Sequence, residues 1–256
     1  MSSTLLHPAT PSDIPTLASI GHDAFVTNPI DAHWFPLKSV YPQDYKQFFL
    51  DDFTLRFVTP GNLTIVVEIT ATKEIVAYAT FVKHGANSQD FLNWNPDTLS
   101  MSMSQYKLKR TCLLKTSISG QTDRSACPET LSSYFEEATK TYHSHLQFPT
   151  STSAATPPRP YLEVRALAVH QSHRHKRYAH QLIQWAQTMA SKEGIPIFGD
   201  ATSTAASLYR INGAIEIGRM KLEAKIVSVP GTEEEIKVEE TEAVLMVWEG
   251  NNAHQT

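Results

Sequence analysis

The chain has 256 residues, a formal net charge of −4, and side chains that are 41% hydrophobic and 19% charged. Those values exclude a disordered, collagen-like or heptad-rich chain, and the absence of a basic excess argues against nucleic acid as a partner. No stretch marks a membrane span or a secretory leader, so a cytoplasmic, single-domain protein over 1–256 with a small-molecule partner is expected.

Glycine is scarce. Ten glycines stand against 15 prolines, where average composition would give about 18 glycines. The two cysteines, Cys112 and Cys127, form neither a C-x-x-C nor a zinc spacing.

Thr4–His7 is a candidate edge strand. Thr10-Pro11-Ser12-Asp13 has the form of a helix start, with Thr10 as N-cap, Pro11 at N1 and Asp13 reaching back. Ile14, Leu17, Ala18, Ala24 and Phe25 then recur at helical spacing. Residues 29–37 are a compact aromatic loop or short helix containing Trp34, Phe35 and Pro36. Tyr45, Phe48, Phe49 and Phe53 predict a second long helix over 41–57. Leu63–Ile69 and Glu74–Lys83, joined by four polar residues, predict a hairpin.

Residues 84–160 read as a variable insertion. It holds Trp94, a helix near Pro128–Leu146 and a flexible Ser/Thr/Pro-rich segment over 149–160. Tyr161–Val169 is a strand, and Tyr178–Glu193 is a helix closed by Gly194. Pro196–Asp200 is a short buried strand, and Thr204–Asn212 is a helix closed by Gly213. Two strands, near Ala214–Val227 and Val238–Glu249, flank the acidic turn at 233–235. The order of elements predicts a mixed α/β sheet in one domain.

The chemistry concentrates after Val169. A strand, a basic turn and an amphipathic helix together make a candidate phosphate cradle, because the first N–H groups of a helix and its dipole favour an anion. The turn contains His170, His173, Arg174, His175, Lys176 and Arg177. Its histidines, with His180, splay along a turn and into a helix, so a polar turn is expected there and no metal site.

Several blocks carry a resemblance: Pro8–Pro15, Asp23-Ala24-Phe25 through Trp34-Phe35-Pro36, Leu167-Ala168-Val169-His170 with Ser172-His173-Arg174 and Lys176, Leu182–Gly194, and Leu208-Tyr209. On these residues the sequence resembles the GNAT superfamily of acyl-CoA-dependent N-acetyltransferases, and looks most like its small fungal-type members. The resemblance implies an α/β (α+β) fold with one mixed, mostly antiparallel central sheet flanked by helices, and acetyl-CoA as cofactor. It implies that Leu167, Ala168 and Val169 offer backbone groups to the pantetheine arm. Thr202 falls where many members place an asparagine contacting that arm.

The family's pyrophosphate turn, Q/R-x-x-G-x-G/A, maps onto Arg174, His175, Lys176, Arg177, Tyr178 and Ala179. The mapping makes the loop degenerate: Arg177 replaces the central glycine, and His175 another glycine-favoured position. Arg177 either fills the pyrophosphate space or swings out to pair with phosphate oxygens.

The resemblance also implies Glu163 as general base and Tyr209 as the acid that protonates the departing thiolate. By the period of two, Glu163 and Arg165 are expected on the face of Leu167 and Val169. Trp34, Phe35, Arg165 and His170 are expected to line the substrate side.

Three functions follow. The first is N-acetyl transfer from acetyl-CoA to a small-molecule amine. The second is acid–base chemistry on a small molecule by a fold that has lost the cofactor, as in a biosynthetic pathway. The third is non-catalytic binding.

Overall fold

A computed structural model of the chain describes residues 3–59, 61–85, 123–146 and 159–250. Cys112, Trp94, and nearly all of the 149–160 segment lie outside these residues, as does most of the 84–160 insertion.

The chain begins with β1 (Thr4–Pro8), then α1 (Ile14–Phe25), α2 (Pro29–Trp34) and α3 (Pro42–Phe57). The Thr10 N–H donates to the Asp13 carboxylate at 2.7 Å, which closes the start of α1 through a single 3-10 turn. Asn28 caps α2 by accepting from the Ile30 N–H at 2.9 Å. The aromatic spacing of α3 turns Tyr45, Phe49 and Phe53 inward. The hairpin follows as β2 (Asn62–Ile69) and β3 (Glu74–His84), and α4 spans Pro128–His145. Then come β4 (Tyr161–Val169), α5 (Tyr178–Glu193), β5 (Ile197–Thr202) and α6 (Ser203–Ile211). Gly194 ends α5 at φ 65°, a left-handed conformation that glycine adopts without a Cβ penalty.

The C-terminal runs differ from the sequence expectation. The first run is divided into β6 (Ile215–Leu222) and β7 (Lys225–Ser228), the second is β9 (Thr241–Trp248), and an additional strand, β8 (Glu235–Val238), begins within the expected acidic turn. β7 and β8 leave the main sheet as a separate two-stranded ribbon, with the acidic turn at its tip.

The main sheet has seven strands in the order β1-β2-β3-β4-β5-β9-β6. Every pairing is antiparallel except β4–β5. One face carries α5 and α6 over Leu162, Val164, Leu182, Ile183 and Ala186. The other face carries α1 and α3 over Val66, Tyr78 and Ala168, and α4 over Phe198, Leu245 and Val247. Among the described residues no helix is long and apolar enough to cross a membrane.

Candidate active site

The parallel pair β4–β5 is short. Leu162, Glu163 and Val164 pair with Ile197, Phe198 and Gly199, and there the pairing stops. β4 continues to Val169 on β3 alone, and β5 continues to Thr202 on β9 alone. The two strands therefore diverge and leave facing edges whose backbone groups have no sheet partner across the gap. Gly199 sits where they part. A Cβ there would come within 3.3 Å of the Val164 Cβ and 3.5 Å of the Tyr209 ring, so the absence of a side chain sets how closely the strands close.

An open cleft of about 810 Å³ occupies this divergence. Leu167, Ala168 and Val169 form one wall, and Thr202 with Leu208 forms the opposite wall. Its end is closed by the turn and the start of α5, with Arg174, His175, Arg177, Tyr178 and Ala179 all lining it. Phe25 and Asn28, between α1 and α2, contribute the rim. The Thr202 hydroxyl accepts the Ala205 N–H at 3.2 Å, so that side chain caps α6, and the strand edge is what it offers the cleft.

The turn answers the question that the scarce glycines raised. His175 has φ 64° and Arg177 has φ 63°, both left-handed. The backbone thus keeps the conformation for which glycine is favoured, although neither residue is glycine. Such a conformation costs about 1–2 kcal/mol per residue for an L side chain. His175, Lys176 and Arg177 are exposed, so their side chains stand at the rim and are not packed into the interior. Lys176 itself does not line the cleft.

The first intrahelical bond of α5 runs from the Gln181 N–H to the Arg177 carbonyl at 3.1 Å. The N–H groups of Tyr178, Ala179 and His180 consequently have no backbone acceptor among the described residues, and the helix dipole adds partial positive charge there. The histidines hold the turn in shape. The His170 N–H donates to the Val76 carbonyl at 2.9 Å, and the His170 ring meets the Ser172 hydroxyl at 2.8 Å. The His173 ring lies 3.3 Å from the Glu74 carboxylate, and His180 Nδ1 contacts Asn212 Oδ1, tying α5 to α6. Among the described residues no group of three or more His, Cys, Asp or Glu side chains is placed to hold a metal.

Glu163 is not on the face of Leu167 and Val169. The β3–β4 register shifts between Thr80 and Phe81, which leaves Arg165 as an extra residue in β4. That bulge reverses the alternation. Leu167 and Val169 sit opposite Ala79 and Ala77 on the α5 face, whereas Glu163 sits opposite Val82 on the α4 face. Arg165 lies on the α4 side too, with its guanidinium 3.6 Å from the Phe135 ring centroid.

There Glu163 is buried and doubly held. Arg165 Nη1 donates to one oxygen at 3.1 Å, and His84 Nε2 meets the other at 2.6 Å. These contacts outweigh the burial that would raise its pKa, and hold the carboxyl below its usual range.

Asp200, the first β5 residue past the β4–β5 pairing, also faces α4. The Tyr134 hydroxyl donates to it at 2.6 Å. Burial raises the Asp200 pKa, the Tyr134 bond and Arg165 lower it, and the Glu163 charge raises it further. The Tyr142 hydroxyl is buried and has no hydrogen-bond partner among the described residues. Burial pushes its pKa up, and the charges of Asp200 and Glu163 add to that rise.

The remaining expected site residues separate. Trp34 packs against Tyr134 and Phe135 at centroid distances of 4.9 and 5.4 Å, near the Arg165 stack and away from the cleft. Phe35 is 1% exposed, locked among Tyr45 and Phe48, so its expected role in lining a substrate site is replaced by core packing. His170 also lies outside the cleft lining. Tyr209 is buried behind Gly199 and against Trp248, on the opposite side of the sheet from Asp200, with its pKa pushed up by burial and by the Asp200 charge. Sequence reasoning missed Asp200, Tyr134 and His84. A lone carboxylate at the end of an otherwise apolar strand was the one signal for the first.

No protein-family model and no curated protein sequence matches the chain. Solved structures do. A Corynebacterium glutamicum protein described as "histone acetyltransferase HPA2 and related acetyltransferase" is 16% identical with a TM-score of 0.56, and 100% of each chain is covered. A Drosophila melanogaster polyamine N-acetyltransferase is 14% identical at TM-score 0.52, covering 96% of this chain and 100% of its own. Arabidopsis thaliana NAA60 in complex with acetyl-CoA is 13% identical at TM-score 0.50, covering 98% and 100%. With the central sheet diverging between its fourth and fifth strands, these likenesses show that the chain has the GNAT fold.

Proposed function

We propose that the protein is an N-acetyltransferase that moves an acetyl group from acetyl-CoA to an amine of a small molecule. The observation that carries this reading is the left-handed backbone at His175 and Arg177. Backbone strain persists where the surrounding structure over-determines it, and such sites cluster at ligand clamps. Here the strained turn ends at three free helix N–H groups at the head of an open cleft. A pyrophosphate is the ligand chemistry that arrangement suits.

In this reading the N–H groups of Tyr178, Ala179 and His180 hold the pyrophosphate. Arg174, Lys176 and Arg177 add charge at the rim, with Arg177 swung out toward phosphate oxygens. The backbone edge of Leu167, Ala168 and Val169 pairs with the amide groups of the pantetheine arm, which takes the place of the missing strand partner. When bound, acetyl-CoA supplies an activated thioester to an incoming amine. The protein contributes mainly by holding the two in line, which can be worth several kcal/mol. Glu163 lies on the acceptor side of the divergence and holds negative charge there. Tyr209, kept protonated by burial, lies behind Gly199 and outside the cleft lining, and its hydroxyl is the one assigned to the departing sulfur.

The Drosophila relative is named for polyamine acetylation and the formation of N-acetylagmatine, which supports a small amine as acceptor. Calorimetry with acetyl-CoA, followed by thiol release on a panel of primary amines, tests the reading. Saturable binding and amine-dependent release of CoA are expected. No binding at millimolar acetyl-CoA would refute it.

A further inference from the structure

The geometry points to Asp200, and not Glu163, as the group that takes the proton from the acceptor ammonium, in a subsite on the α4 face that selects cationic amines. The inference rests on the acetyltransferase reading above and deepens it.

Three observations converge on this subsite. The first is position. Asp200 is the first β5 residue beyond the last β4–β5 pair, so it stands at the apex of the divergence, on the α4 face. Thr202, two residues on, already lines the cleft.

The second is partner count. Both Glu163 oxygens are engaged, one by Arg165 and one by His84. Asp200 accepts a single side-chain hydrogen bond among the described residues, from Tyr134 to Oδ2, and besides it only its own backbone N–H bonds the carboxyl. A carboxylate tied to a guanidinium and an imidazole is a poor proton acceptor. One half-buried with a single phenol partner is a better one.

The third is the unspent capacity around it. Tyr142 is 2% exposed, and its hydroxyl has no partner while lying in the field of both Asp200 and Glu163. Buried polar groups are nearly always satisfied, and an orphan calls for a missing partner. The Arg165 guanidinium and the His84 imidazole both bond Glu163, so among the described residues Asp200 lacks a cation bonded to it. An ammonium supplies one and gives Tyr142 a charged neighbour. The groups that bear on Asp200 are Glu163 and Arg165 from β4, Tyr134 and Tyr142 from α4 and Tyr209 from α6, with His84 from β3 acting through Glu163.

The step balances as follows. The ammonium gives one proton to Asp200. The freed lone pair forms the C–N bond at the thioester carbon as the C–S bond breaks. The second nitrogen proton goes to the leaving sulfur, giving the CoA thiol, and Asp200 returns its proton to water.

The test uses the full chain with Asp200→Asn, Asp200→Glu, Glu163→Gln and Tyr134→Phe. Acetyl-CoA binding is measured first, by calorimetry, and is expected to be unchanged in all four. If the unaltered protein binds no acetyl-CoA or acetylates no amine, the acetyltransferase reading falls and this inference falls with it. If it is active, Asp200→Asn is expected to lower kcat by about 10²–10⁴ and to remove the acidic limb of the pH profile. Asp200→Glu should recover part of the rate. Tyr134→Phe should move the acidic limb to higher pH, because the lost hydrogen bond favoured the ionised carboxyl. Carboxyl-labelled aspartate, followed by NMR without acetyl-CoA, should show Asp31 and Asp200 titrating above the ordinary range, both raised first by burial, and only the Asp200 signal should be absent in Asp200→Asn.

Asp200→Asn activity within threefold of the unaltered protein, or loss of the acidic limb in Glu163→Gln with its retention in Asp200→Asn, would overturn the inference and leave the acetyltransferase reading standing.

Discussion

On the α5 side of the divergence the groups left open are main-chain: three helix N–H groups and the free edge of β4. On the α4 side they are side chains, namely Asp200, Tyr134, Tyr142, Glu163 and Arg165. Under the proposed function the difference follows from what each side would recognise. A phosphate is met by any correctly aimed N–H, whatever side chain that residue carries, so the α5 side tolerates histidine and arginine at glycine-favoured positions. A proton has to be accepted by one atom with a tuned affinity, so the α4 side depends on which residue stands where.

The strongest way to break this contrast is to reverse the charge at the helix start without disturbing the helix. Ala179→Asp places a carboxylate at the second position of α5, where the dipole favours it by about 0.3–1 kcal/mol. The fold should therefore hold its Tm or gain slightly. Two like charges about 4 Å apart near a protein surface repel by about 4 kcal/mol, so acetyl-CoA affinity should fall by about 100-fold or more. A calorimetric Kd within tenfold of the unaltered protein would mean that the phosphate does not sit on this helix.

The same contrast explains what could be read from the sequence. The α5 side is local: β4, the turn and α5 span Tyr161–Glu193 without interruption, and their boundaries follow from alternation, helical spacing and Gly194. The departure of Arg177 and His175 from glycine was visible too, but its consequence was not, because φ is not written in a residue name.

The α4 side is assembled from β3, α4, β4 and β5, with His84 and Glu163 separated by 79 residues and Tyr134 and Asp200 by 66. No spacing rule links them. The single bulged residue, Arg165, also defeats the period of two that would place Glu163 with Leu167. The division of the first C-terminal run into β6 and β7, and the extra strand β8, were hidden for a related reason, since where a strand leaves a sheet depends on its neighbours in space.

A smaller effect separates the two carboxylates of the α4 side. Glu163 is held below its usual range, first by its hydrogen bond with His84 and then by Arg165, against the opposing effect of burial. A carboxyl with a depressed folded pKa stabilises the fold above its unfolded value, near 4.5, and that contribution is lost as pH falls through the lower folded value. Glu163→Gln keeps the shape and the hydrogen-bond acceptor but loses the charge, and about a third of the Arg165 and His84 side chains is exposed. The cost at pH 7 should be about 1–2 kcal/mol. The stability difference between the two proteins should close as pH drops below 4.5. A difference that stays constant from pH 7 to pH 3 would mean the pair does not stabilise the fold through charge.

The smallest effect bears most directly on the scarce glycines. Arg177 already has the backbone conformation of the residue it replaces. Arg177→Gly removes about 1–2 kcal/mol of left-handed strain and adds about 0.5–1 kcal/mol of unfolded-state entropy. A net gain below about 1 kcal/mol, and a rise in Tm of a few degrees at most, is the expected result. Acetyl-CoA affinity should not rise, because the cradle is already open and, under the proposed function, the substitution deletes a guanidinium that would pair with phosphate. A tenfold gain in affinity would show instead that the arginine side chain obstructs the pyrophosphate. It would also place the selective pressure on this loop in its side chains and not in its backbone.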